Sequence, residues 1–163
     1  MNNTKWLKTA ALAFSVMASS ASATPIIMEG DYVKTAISDD GTLGYGSSTP
    51  PRLLHDATGS GTFGPADYLT PGNPWEIFSV YSDQTSLLVN GNSLGDAISG
   101  TLTDTTGSSS YDNAVNWTGT FGSYFTISTD TYFNNGDERV SFTTTITALA
   151  DLTGLTFFTR DRP

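Results

Sequence analysis

The sequence predicts an all-β protein, an antiparallel β-sandwich of Ig-like or jelly-roll-like kind, and three observations carry that prediction. Apolar residues recur at every second position in short runs. The runs are separated by clusters of Gly, Asn, Asp and Pro, the residues that tight turns require. Beyond the first two dozen residues, no apolar stripe of helical period lasts for the length of a helix.

The N-terminal segment MNNTKWLKTAALAFSVMASSASA stands apart. Lys5 and Lys8 supply a positive end, Thr9 to Ala18 a short apolar run, and Ala21-Ser22-Ala23 the small residues a signal peptidase accepts. That run is too short to span the ~30 Å of a bilayer core, so it predicts secretory export with cleavage after Ala23 and no retained membrane segment. There is no twin arginine and no cysteine to carry a lipid. Residues 24–163 remain, the expected length of one β-sandwich domain. With no cysteine in the chain, stability must come from packing, hydrogen bonds or a bound ion.

The strands are then read in order. DYVKTAIS runs into Asp39-Asp40-Gly41-Thr42 and TLGYG, a first hairpin. EIFSVYS is followed by TSLLV, which ends at Asn90-Gly91-Asn92; AISGTLT comes next, then the Ser/Gly-rich loop TTGSSSYDN, then VNWTGTF. SYFTISTDTYF places Phe125 and Ile127 on one face. In ERVSFTTTITAL, Val140, Phe142, Thr144 and Ile146 point one way and Ser141, Thr143, Thr145 and Thr147 the other. Between these two runs lies NNGDE, whose Asn135-Gly136 is a strong signal for a type I′ turn, so a hairpin is expected from about Tyr124 to Ala148. LTGLTFFTR is the last strand. It runs into Arg160-Asp161-Arg162-Pro163 with no further strand to cover its edge, which points either to a domain truncated at the C-terminus or to a strand that pairs centrally and a tail that frays.

Charge narrows the partners. The sixteen acids all follow Ala23 and Lys5 and Lys8 leave with the leader, so five basic residues remain and the mature chain carries a formal charge of −11. Such a chain repels nucleic-acid phosphates and anionic lipid. The favourable counterpart is a cation, above all Ca2+, or else the acidity serves solubility alone.

Catalytic signatures are absent: there is no GxSxG, HExxH or Walker sequence. The single histidine, His55, would need Asp56 or another acid to act in a triad, and in its Pro-flanked setting it reads as a surface residue. Most acids, including Asp39, Asp40, Asp83, Asp104, Asp112 and Asp137, sit where turns use them as hydrogen-bond acceptors. Glu29 and Glu76 fit turn chemistry less well, and Glu76 directly follows Trp75. Paired with a second acid, Glu76 is the one candidate for glycoside hydrolysis. For Ca2+ the candidate ligands are Asp130, Asn135, Asp137 and Glu138 at one hairpin end, although the EF-hand spacing is missing.

One stretch, GSGTFGPADYLTPGNPWEIFSVY at 59–81, concentrates Gly, Pro and aromatics. Its glycines allow close backbone approach, its prolines restrict φ, and its large side chains give it weight to pack, so an ordered Ω-like loop is expected. Phe63, Tyr68, Trp75 and Glu76 form a candidate ligand-binding set, with rings to stack on sugars beside an acid; the alternative is a cap on the core. The reading as a whole is an exported, non-catalytic surface or matrix protein of adhesion type, bound to a glycan or another surface protein. Its alternative is a carbohydrate-binding module or ancillary domain of a secreted polysaccharide-degrading enzyme.

Overall fold

The computed structural model describes residues 24–44, 51–69, 75–91 and 95–162, and of residues 75, 76, 95 and 160–162 the backbone alone. The leader, the side chains of Trp75 and Glu76, and the Pro71–Pro74 part of the aromatic loop lie outside the described residues. Among the described residues eleven strands follow one another: β1 (Ile26–Glu29), β2 (Val33–Ile37), β3 (Leu53–His55), β4 (Trp75–Ser82), β5 (Ser86–Gly91), β6 (Gly95–Asp96), β7 (Gly100–Asp104), β8 (Asn113–Phe121), β9 (Phe125–Phe133), β10 (Ser141–Ala148) and β11 (Thr156–Arg162). The only helical turn among the described residues is a 3-10 turn at Thr106–Ser108, and none of their helices is long and apolar enough to cross a membrane.

The strands form three antiparallel sheets, in the orders β1-β2-β3, β10-β9-β8-β7 and β11-β4-β5-β6. In the two four-stranded sheets every pair of neighbours is adjacent in sequence except β11 and β4, which pair from Thr156↔Tyr81 to Arg162↔Trp75. This refines the Ig-like or jelly-roll-like expectation to an up-and-down order. β10 and β11 each end their sheet.

The long sheet β7–β10 organises the fold, because its inner face feeds two clusters. On β8 and β9 the inward positions Val115, Trp117, Phe125, Ile127 and Phe133 are each at most 1% exposed. Trp117, Phe125 and Ile127 pack with Phe78, Val80 and Leu88 of β4 and β5, so the two four-stranded sheets share one cluster in a sandwich-like arrangement. Val115 and Phe133, further along the same strands, pack instead with Met28, Ile37, Leu43 and Leu69 around the small sheet β1-β2-β3.

Trp117 sits near the join. Its ring meets Phe78 edge-on at 5.4 Å and its indole N–H donates to the Asp39 carbonyl at 2.9 Å. A Cβ at Gly41 or Gly119 would lie 2.5 Å from the indole, and one at Gly100 closer still, so these three positions admit only hydrogen. The 38–42 turn that supplies the carbonyl is itself tied down. Asp40 accepts from the Ser38 hydroxyl and from the Thr42 amide and hydroxyl at 2.9 and 2.6 Å, and buried Asn90 donates to the Asp40 carbonyl at 3.0 Å.

The expected hairpin from Tyr124 to Ala148 is present, β9 and β10 pairing from Phe125↔Ala148 to Tyr132↔Ser141. Its connection is not a two-residue type I′ turn, since neither Asn135 nor Gly136 has positive φ. Seven residues, 134–140, make the connection, with the Asp137 carboxylate accepting from the Asn134 amide at 2.7 Å. After Asp39-Asp40-Gly41-Thr42 the chain does reverse, and among the described residues the single bridge Ile37↔Leu43 follows, the last two residues of TLGYG lying outside them. β1 and β3 are strands the periodicity did not announce, at four and three residues too short to display a period.

Candidate functional site

β3 is three residues long and would offer little on its own, but a carboxylate extends it. Asp67 accepts from the amides of Arg52 at 2.9 Å, Leu53 at 3.0 Å and Leu69 at 3.1 Å, while the Tyr68 amide donates to the Leu53 carbonyl at 2.9 Å. Residues 67–69 are thereby held against β3, with Leu69 buried beneath and Tyr68 exposed above. Tyr68 meets the His55 ring edge-on, with centroids 6.2 Å apart.

This clamped segment forms one wall of a groove of about 430 Å3. Val33, Leu53 and Leu54 from β2 and β3 supply one side, and Val140, just before β10, and Phe142 of β10 the other; His55, Tyr68, Glu138 and Arg139 stand among the residues that line it. The volume falls within the roughly 300–1,000 Å3 of ordinary ligand sites, and the lining is predominantly aliphatic. Phe142 remains 44% exposed and Tyr68 57%, so both offer apolar surface to whatever enters.

The groove joins two sets of residues that the sequence kept apart: Tyr68 from the aromatic loop and Glu138 from the acidic hairpin end. The remaining members scatter. Phe63 lies under the Lys34 ammonium, 5.9 Å from ring centroid to nitrogen, and is not among the residues that line the groove. Trp75 and Glu76 open β4, their side chains outside the described residues. Asp130 is exposed on the outer face of β9, where it accepts from the Asn116 amide at 2.7 Å. Asn135 uses its backbone and side chain on Asp31, Asp112 and Asn113, and Asp137 closes its own turn. Among the described residues, no group of three or more His, Cys, Asp or Glu side chains is placed to hold a metal ion.

Two glycines of the aromatic stretch, Gly59 and Gly61, have a definite task. Asp56 accepts five hydrogen bonds from its own loop: the amides of Thr58, Ser60 and Thr62 at 2.9, 2.8 and 3.1 Å, and the hydroxyls of Thr58 and Ser60 at 2.6 and 2.7 Å. Gly59 and Gly61, with φ of 64° and 71°, give the backbone the left-handed turns that wrap it around this carboxylate. The Thr58 hydroxyl, then the Ser60 hydroxyl and the loop amides, hold the Asp56 carboxyl well below the usual range. Asp96, near the 38–42 turn, is shifted the other way, raised first by burial and then by the charges of Asp40 and Asp39.

Sequence reasoning passed over Asp67, Leu54 and Arg139, and above all Tyr111 and Tyr132, whose rings stack at 4.2 Å. Tyr132 was legible: counting alternate positions back from buried Phe133 turns it outward. No protein family, curated protein or solved structure was found to match the chain.

Proposed function

We propose that the protein is an exported, non-catalytic protein of adhesion type, and that its groove holds an apolar stretch of a partner protein. The observation that carries this reading is the aliphatic groove of about 430 Å3 with one wall clamped by Asp67. Ordered walls lower the entropy lost on binding. Beside the groove, β10 ends its sheet among the described residues, and that edge would offer backbone donors and acceptors to an extended segment whose alternate side chains would enter the groove. Chemistry is disfavoured where it was conceivable. Asp56, the neighbour that a histidine base would need, spends both carboxylate oxygens on its own loop. A sugar platform of Phe63 and Tyr68 is disfavoured too, because Tyr68 lines the groove and Phe63, under the Lys34 ammonium, does not.

The test is selection of displayed random peptides on immobilised residues 24–163. Enriched peptides are expected to be extended and to alternate apolar with polar residues. Phe142→Asp, a change at a half-exposed position, is expected to weaken them roughly tenfold or more. Absence of enrichment, or peptides that bind Phe142→Asp equally well, would sink the proposal.

A further inference from the structure

We infer a second binding site, on the face of the long sheet opposite the groove, in which the stacked pair Tyr111 and Tyr132 holds one neutral sugar unit of a glycan. It lies on the outer face of the long sheet, where the loop between β7 and β8 folds over β9 and leaves a cleft of about 220 Å3. That is less than the roughly 300 Å3 at which sites for drug-sized ligands begin, and it suits a single ring.

The aromatic pair has no counterpart in the surface around it. Outward positions of β8, β9 and β10 carry Asn116, Thr118, Thr126, Ser128, Thr143, Thr145 and Thr147, a sheet face built of hydroxyls and amides. Tyr132 interrupts it on β9, and Tyr111 is brought over from the loop to stack on it, the ring planes inclined by 28°. Tyr111 nevertheless stays 36% exposed, so the pair does not close a core.

The loop is fixed before any ligand arrives. The Thr105 amide donates to the Ala114 carbonyl at 3.0 Å, the Thr106 hydroxyl accepts from the Ala114 amide at 3.1 Å, and Asp112 accepts from the Asn135 amide at 3.0 Å. Ser109, which caps the Tyr111 amide at 3.1 Å, lines the cleft with Thr105. On the strand side Asp130 lines it, oriented by the Asn116 amide, which also reaches the Ser128 hydroxyl at 2.8 Å.

A pyranose presents an apolar C–H face and a rim of hydroxyls, and this cleft offers aromatic surface with a planar, oriented carboxylate and two hydroxyls beside it. A phosphorylated ligand is opposed by Asp130 and by the acidic chain as a whole. A cation would also suit a carboxylate beside a ring, and the experiment separates the two.

The measurement is calorimetric titration of residues 24–163 with neutral hexasaccharides of glucose, mannose, xylose and N-acetylglucosamine, and with a hexalysine peptide. At least one hexasaccharide is expected to bind, and Tyr132→Ala and Tyr111→Ala are each expected to weaken it roughly tenfold. Tyr132→Phe should retain most of the affinity, which separates loss of stacking from loss of fold. The inference is overturned if no hexasaccharide binds, or if binding survives both alanine changes. It is equally overturned if tyrosine-dependent binding is confined to hexalysine and vanishes at about 0.5 M salt. None of these results bears on the groove, whose peptides are read separately.

Discussion

At the Trp117 end of β8 and β9, the inner face of the long sheet meets β4 and β5 and closes; at the Phe133 end the same two strands meet the small sheet and leave a groove. Both ends obey the same alternation of apolar and polar residues. The difference lies in the cover. β4 has eight residues and β5 six, enough to oppose apolar side chains along a full cluster, whereas β3 has three and depends on Asp67 for its continuation. A strand long enough to serve two covers therefore generates a core and a binding surface from one pattern.

The sharpest way to break this comparison is to truncate one residue at each end. Trp117→Ala removes a side chain 1% exposed, its hydrogen bond to Asp39 and the group around which Gly41, Gly100 and Gly119 are fitted. A loss of about 3–5 kcal/mol is expected, read as a lower denaturant midpoint. Phe142→Ala, at a position 44% exposed, is expected to cost less than about 1 kcal/mol. Equal losses at the two positions would mean that the groove end is as much core as the other.

Asp67→Ala comes next in size. It leaves three amides on Arg52, Leu53 and Leu69 without their acceptor, at a cost of about 1–3 kcal/mol. Faster amide hydrogen exchange at Leu53 and Leu69, with unchanged protection at Trp117 and Ile127, is the expected signature. Exchange that accelerates equally at both ends would show that the clamp supports the whole fold and not the groove wall.

Much of the closed end was legible in the sequence. The alternation at Phe125 and Ile127, the hairpin into β10, and the runs that became β4, β5, β7, β8 and β11 all announce themselves by period and turn residues. The groove end was not legible, because its parts are joined by contacts that leave no local trace. Asp67 reaches back fourteen or fifteen positions to Leu53 and Arg52, and Tyr68 meets Glu138 and Phe142 only across the fold. Turn chemistry was right about the acids as acceptors and wrong about the shape of one turn. Asn135-Gly136 sits in a longer connection because Asn135 bonds Asp31, Asp112 and Asn113. The outward tyrosine at 132 needed only the alternation to be carried two steps beyond Phe125-x-Ile127 and its purpose asked.

The smallest effect sharpens the contrast between carboxylates that shape loops and those that could titrate in function. Asp56 is held by five donors, so its folded carboxyl lies below the ordinary range while the unfolded one sits near ~3.9. A group depressed in this way contributes stability that is complete above the unfolded value and is lost as pH falls below it toward the folded one. Asp56→Asn keeps the shape but removes the charge and turns one of the two accepting oxygens into an amino group that only donates. The variant should therefore melt below the wild type at neutral pH, and the gap should narrow progressively once the pH drops under about 4. Melting curves from neutral to strongly acidic buffer read this directly. A gap that stays constant across that range would place the effect of Asp56 in side-chain geometry and not in its charge, and the loop would then be held by Gly59 and Gly61 more than by the carboxylate they enclose.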